Sequence, residues 1–152
     1  MRMMVCLLAL MVGWIMSVSA GDLVVKPDSS IEVVYISAKD CSYCRSWRYT
    51  INGGWDNFSK QPEAKHVSLV TVDKGFRRHG IEVKDYPDGY QHLYEMNMSL
   101  GRLVPAFWVL VDRQPVLGIA GEKRWDTDVV PVIIDLVSKK LAGGGTITRV
   151  HW

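Results

Sequence analysis

The chain has 152 residues, 48% hydrophobic and 22% charged, with 18 basic against 16 acidic side chains and a formal net charge of +2. That is enough chain for one sizeable core and one domain. A charge so near balance argues against nucleic acid, or an acidic membrane surface, as partner.

The first segment reads as a targeting signal rather than as part of the fold. Arg2 precedes an apolar run from Met3 to Met16, and Ser17-Val18-Ser19-Ala20-Gly21 follows. A positive start, a short apolar stretch and small residues at Val18 and Ala20 are the pattern of an export signal cut after Ala20. The run is short for a membrane span of ~20 residues. The expected division is a signal over 1–20, a domain over 21–142 and a flexible tail over 143–152. Three cysteines are present, and Cys6 leaves with the signal. The exported chain then keeps Cys41 and Cys44 alone, which is no disulfide scaffold. Location is expected to be periplasmic or secreted.

Leu23-Val24-Val25 predicts a short edge strand or arm, and Lys26 to Ser30 a turn. Ile31 to Ile36 is an almost continuous apolar, β-branched run and predicts a central strand buried on both faces. Ser37 to Asp40 is the loop that delivers Cys41. A helix is predicted from Ser42 to about Ile51, stopped by Asn52-Gly53-Gly54. Trp47 and Ile51, four apart, are expected to cover the sheet, with Arg45, Arg48 and Tyr49 toward solvent. Trp55 to Gln61 predicts a further helical turn. His66 to Asp73 predicts the second main strand.

Lys74 to Gly89 shows no periodicity and predicts a long loop, with a small hairpin near Ile81–Val83. Loops of this length tend to be functional or mobile; a solvated insertion is the plain alternative. Tyr90 to Ser99 predicts a helix, with Leu93 and Met96 or Asn97 at helical spacing. Val104 to Val111 is an apolar strand with Pro105 at its mouth. Asp112-Arg113-Gln114 predicts a hairpin turn, and Pro115 to Ala120 an antiparallel edge strand. Asp126-Thr127-Asp128 is expected to cap a last helix over Val129–Leu141, with Pro131 in its first turn. Gly143-Gly144-Gly145 should end it and free the tail.

The chemistry is expected in Asp40-Cys41-Ser42-Tyr43-Cys44-Arg45. A thiol at the first turn of a helix faces unpaired N–H groups and the positive end of the dipole. Both favour the nucleophilic thiolate. Cys44, one turn on, can close a disulfide with Cys41 or resolve a mixed one. Lys39 and Arg45 support a Cys41 thiolate, Asp40 opposes it, and the helix terminus and cations are expected to win. Ser42 and Tyr43 tune what lies near the sulfur. Half a zinc site is one alternative, but no second C-x-x-C and no H-x3-5-H follows. An inert bridge is another, though so short a loop is a poor staple. Met96 and Met98 form a soft-sulfur pair that would suit copper(I), against the simpler reading of helix packing. His66, His79, His92 and His151 have no ligand spacing. No metal and no cofactor are expected.

Strand, C-x-x-C helix, strand, helix, proline-led strand, strand, helix: this order resembles the thioredoxin superfamily over Ile31 to about Leu141. The resemblance implies an α/β fold with a central mixed sheet of about four strands flanked by helices, and an insertion before the second main helix. It implies that Pro105 is a cis-proline lying against the dithiol and that Val104 pairs with substrate backbone. Three positions depart from thioredoxins proper. Tyr35 stands where they carry a buried acid, Asp40 where they carry tryptophan, and Ser42-Tyr43 where they carry Gly-Pro.

The function so implied is an exported thiol–disulfide oxidoreductase, acting as a monomer on protein thiols or disulfides. A membrane redox donor or acceptor is a further expected partner. The alternative is a binding or assembly module of the same fold, serving a partner or metal or cofactor maturation, with little redox turnover.

Overall fold

The computed structural model describes residues 21–149. The expected signal, with Cys6, and His151 lie outside the described residues. A four-stranded sheet carries the domain. Its strands are β2 (Ile31–Ala38), β3 (Val67–Lys74), β4 (Ala106–Val111) and β5 (Gln114–Ala120), in the spatial order β3-β2-β4-β5. β1 (Leu23–Val25) lies outside it. β3 runs parallel to β2, while β4 and β5 run antiparallel to their neighbours. The mixed sheet is flanked by α1 (Ser42–Tyr49), α2 (Gly54–Ser59), α3 (Leu93–Ser99) and α4 (Val130–Leu141). This is the thioredoxin-like arrangement that the sequence implies.

The strand alternation explains the two cores. Val33 and Tyr35 of β2, with Phe107 and Val109 of β4, face a core shared with Trp47, Phe58, Trp125, Ile133 and Leu136. Val34 and Ile36, with Trp108 and Leu110, face a second core with Val72, Ile81, Tyr86, Tyr90 and Leu93. Successive side chains in a strand point to opposite faces, so a strand apolar throughout must be covered on both. Every residue of β2 and β4 is buried accordingly.

The β4–β5 hairpin turns through Asp112 and Arg113, at φ 48° and 64°. Two successive left-handed residues are what a two-residue hairpin with the right twist needs. Asp112 is held there by Ser29 and Ser30: the Ser29 hydroxyl donates to its carboxylate at 2.7 Å and the Ser30 N–H at 2.8 Å. Pro115, which has no N–H to give, sits on the edge strand next to a register shift.

Several expectations need correction. α1 ends at Tyr49, and Thr50 is already extended. Ile51 therefore leaves the helix face and is 83% exposed, so Trp47 covers the sheet without it. No hairpin forms near Ile81–Val83. Two short 3-10 turns, Arg77–His79 and Val83–Asp85, occupy that stretch. Nor is the segment merely solvated, because Ile81 and Tyr86 are buried in the second core. Asp126–Asp128 do not cap the last helix. They lie in a π-turn, Trp125–Val129, that runs directly into α4, with the Val130 N–H donating to the Trp125 carbonyl. Pro131 offers no N–H and crowds the carbonyl four residues back, and the wider turn accommodates both. The tail is not free from Gly143 onward: β6 (Gly145–Ile147) pairs antiparallel with β1. Gly143 and Gly144, at φ 95° and 120°, turn the chain back from α4 so that this pairing can form.

Candidate active site

β2 ends at Ala38, and the three residues Lys39, Asp40 and Cys41 bring the chain to the start of α1. Cys41 is the N-cap residue of that helix. Its sulfur accepts the Cys44 N–H at 3.1 Å, meeting one of the donors that the helix start leaves unpaired. Cys41 and Cys44 are joined as a disulfide, with Cα atoms 5.2 Å apart. The two residues are 1% and 2% exposed, so accessibility does not distinguish them. Hydrogen bonding does. A negative charge on Cys41 sulfur would be met by the Cys44 N–H and the helix terminus together.

Opposite lies the loop before β4. The Val104–Pro105 peptide is cis, and the Val104 carbonyl oxygen lies 3.8 Å from the Cys41 sulfur. A disulfide sulfur carries no proton, so in this state the approach is a contact; a reduced Cys41 thiol could donate there. The Pro105 carbonyl accepts the Gly121 N–H at 2.8 Å, fixing the loop to the end of β5. Leu103 beside it is 61% exposed, and Tyr43 across from it is 63% exposed. An open groove of about 410 Å³ is lined by Tyr43, Val104, Pro105, Ala120 and the stretch Gly121–Arg124. The sequence reading did not single out Gly121–Arg124. Its position directly after the return strand, beside the proline loop, is the signal that could have found it.

Beneath the disulfide, the Tyr35 hydroxyl donates to the Cys44 carbonyl at 2.8 Å. Its ring is packed 4.4 Å from Trp47 and 5.8 Å from Phe107. Burial pushes the phenol far above its ordinary value, against the lowering effect of Ser37. Tyr35 is therefore a fixed neutral donor. Trp47 in turn meets Trp125 edge-on at 4.7 Å, and the Trp125 indole N–H donates to the Gly54 carbonyl at 3.1 Å. Gly54 has to be glycine, since a Cβ there would come within 2.3 Å of Trp47. This aromatic block supports α1 from below and sets where the disulfide stands.

The residues expected to modulate the site are spread around its rim. Ser42 and Tyr43 are exposed on the first turn of α1. Arg45 donates to the Lys39 carbonyl at 2.9 Å, bracing the loop before Cys41. Asp40 is engaged by Arg77, a residue of the insertion to which the sequence assigns no role. The soft-sulfur pair is not assembled: Met96 packs against the second core, while Met98 sulfur accepts the Arg102 Nε–H at 2.9 Å. No group of three metal-binding side chains occurs among the described residues.

No family model and no curated protein matches the chain. Solved structures do. The chain is similar to the thioredoxin of Malassezia sympodialis at 16% identity and TM-score 0.46, over 71% of this chain and 76% of that one. It is similar to the oxidised thioredoxin of Plasmodium falciparum at 17% identity and TM-score 0.45, over 71% and 82%. It is also similar to a mutant thioredoxin of Halobacterium salinarum at 13% identity and TM-score 0.45, over 73% and 78%.

Proposed function

We propose that this chain is an exported thiol–disulfide oxidoreductase that exchanges its Cys41–Cys44 pair with protein substrates. One observation carries the reading. The cysteines form a disulfide whose first sulfur caps a helix and accepts an N–H at 3.1 Å, beside an open groove. A sulfur so placed leaves well as thiolate and attacks well as thiolate.

Starting from the disulfide, a substrate thiolate attacks Cys41 sulfur. The Cys41–Cys44 bond breaks, Cys44 takes the electron pair, and a mixed disulfide joins substrate to Cys41. A second substrate thiolate attacks the substrate sulfur of that bond and releases Cys41. The substrate is oxidised to a disulfide, and the pair is reduced by two electrons to a dithiol. In the reverse direction Cys41 attacks a substrate disulfide and Cys44 resolves the adduct. A membrane donor or acceptor of electrons would return the pair to its starting state. Export is supported by the pattern of Arg2, the apolar run to Met16 and the small residues to Ala20. Protein rather than small-thiol substrates are supported by the groove, whose exposed Tyr43 and flanking Leu103 offer apolar contact to a chain lying across Val104.

The test is a reduction potential for Cys41–Cys44 with insulin reduction measured beside it, and a Cys44→Ser variant expressed with its leader. Exchange with glutathione, insulin turnover and cysteine-dependent adducts on a non-reducing gel are expected. A folded protein that shows none of these is a binding module.

A further inference from the structure

Asp40 places a negative charge one residue before Cys41, where it opposes the thiolate. The segment after β3 meets that charge. The Arg77 N–H donates to one Asp40 carboxylate oxygen at 2.8 Å, and Arg77 Nε lies 3.5 Å from the other. Beside them the Lys39 N–H donates to the Gly75 carbonyl at 2.8 Å. The loop that presents Cys41 and the start of the insertion are therefore clipped together at three points. The Arg77 N–H is the leading cause that holds the Asp40 carboxyl below its usual range, with the guanidinium adding to it.

We propose that Arg77 is a positioning residue for the thiol chemistry: it engages Asp40 from the inserted segment and leaves the field at Cys41 to the helix terminus. The proposal rests on the thiol–disulfide reading above. It gives the segment after Lys74 a task at the site, beyond the apolar packing of Ile81 and Tyr86.

Other charges surround the sulfur, and none duplicates this contact in what it does. Lys39 and Arg45 stand on the same loop and helix, Arg45 being spent on the Lys39 carbonyl. Asp73, at the end of β3, accepts the Ser37 hydroxyl at 3.3 Å. His79 lies in the Arg77 turn with its ring edge-on to Phe76. Across the groove are Glu122, Lys123 and Arg124, the last paired with Asp128 at 2.7 Å. Asp40 is the carboxylate adjacent in sequence to the reactive sulfur, so its engagement bears directly on how strongly the thiolate is opposed.

The consequence is specific. Without the Arg77 side chain, Asp40 keeps the backbone N–H of residue 77 but loses its counter-charge, so its negative charge acts on Cys41 less opposed. The thiol should then titrate at higher pH, and the dithiol–disulfide equilibrium should move toward the disulfide. The experiment is a four-protein cycle of wild type, Arg77→Ala, Asp40→Asn and the double variant. It reads thiolate absorbance against pH and, separately, equilibrium with glutathione. Arg77 is exposed and the disulfide is retained, so folding is checked simply by far-ultraviolet circular dichroism.

Arg77→Ala should raise the Cys41 titration midpoint and shift the glutathione equilibrium about two- to fivefold toward the disulfide, the size expected of one solvent-screened ion pair. Asp40→Asn should move both the other way. In the Asp40→Asn background, removal of Arg77 should have little effect, because its action runs through the carboxylate. An equal shift in both backgrounds means that Arg77 acts as a distant charge, and overturns the proposal, as does no shift in either. The titration needs no turnover. If no protein of the set exchanges with glutathione while the titration cycle behaves as stated, the oxidoreductase reading fails and the Arg77–Asp40 relationship stands.

Discussion

The Tyr35 hydroxyl donates to the Cys44 carbonyl at 2.8 Å, tying the central strand to the first turn of the helix that bears the disulfide. The bond is buried and runs from sheet to site. Removing the hydroxyl leaves a packed ring and an acceptor that has lost a partner. Tyr35→Phe should lower the unfolding free energy of the oxidised protein by about 1 kcal/mol, within the usual range for one buried hydrogen bond. Urea denaturation at neutral pH measures it. An unchanged midpoint would mean that the aromatic stack with Trp47 and Phe107 holds α1 without the hydroxyl.

The same burial has a consequence at alkaline pH. Desolvation raises both Tyr35 and Tyr86 well above the ordinary phenol value. A folded-state pKa above the unfolded one gives stability that is fully present below about pH 10 and is lost as pH rises toward the folded value. Stability should thus fall steeply above pH 10, and these two phenols should ionise together with unfolding. Phenolate absorbance followed against pH, with circular dichroism alongside, tests this. Six tyrosines ionising while the fold remains intact would contradict it.

The roles of the two cysteines can be separated by alkylation. Exposure does not rank them, at 1% and 2%, so the ranking comes from the N–H that Cys44 gives to Cys41 sulfur. With limiting iodoacetamide on the reduced protein, Cys41 should be modified first, and mass mapping of the peptides reads the order. Preferential labelling of Cys44 would reverse the nucleophile and resolving assignments.

The parts of this fold that were legible in the sequence are those set by local rules. β2 and β4 are apolar without a break, which means burial on both faces wherever they sit. Cys41 at the start of a helical stretch reads as a sulfur facing free N–H groups, because the first turn of any helix leaves them unpaired. Asn52-Gly53-Gly54 ends a helix on backbone grounds alone, though the chain is already extended at Thr50, so Ile51 leaves the helix before it can reach the sheet. What was not legible depends on long-range contact. Asp40 and Arg77 are 37 residues apart, and nothing in either neighbourhood announces the pairing. The β1–β6 pairing joins the two ends of the domain across an even longer span. The start of α4 departs from the sequence expectation because Asp126-Thr127-Asp128 is a good local cap signal, while Trp125, anchored to Gly54, starts the turn before it.

The inserted segment gives the sharpest separation between sequence expectation and structure. Gly75, Gly80, Pro87 and Gly89 punctuate it so heavily that it has no helical or strand period. A solvated excursion would look the same. Yet Ile81 is 3% exposed and Tyr86 is 3% exposed, both in the buried cluster that holds Val34, Ile36, Trp108 and Leu93. With Tyr90 and Leu93 these two residues belong to the core on that face of the sheet. If they are core, truncation leaves a cavity in the second core, and Ile81→Ala should cost about 2–4 kcal/mol. An exposed loop residue would cost within about 0.5 kcal/mol. Lys84→Ala, in the same segment but paired with Glu82 at the surface, is the matched control and should stay within that smaller range. Chemical denaturation of the two variants side by side decides between them. A small loss for Ile81→Ala would mean that Ile81 does not tie the insertion to the core.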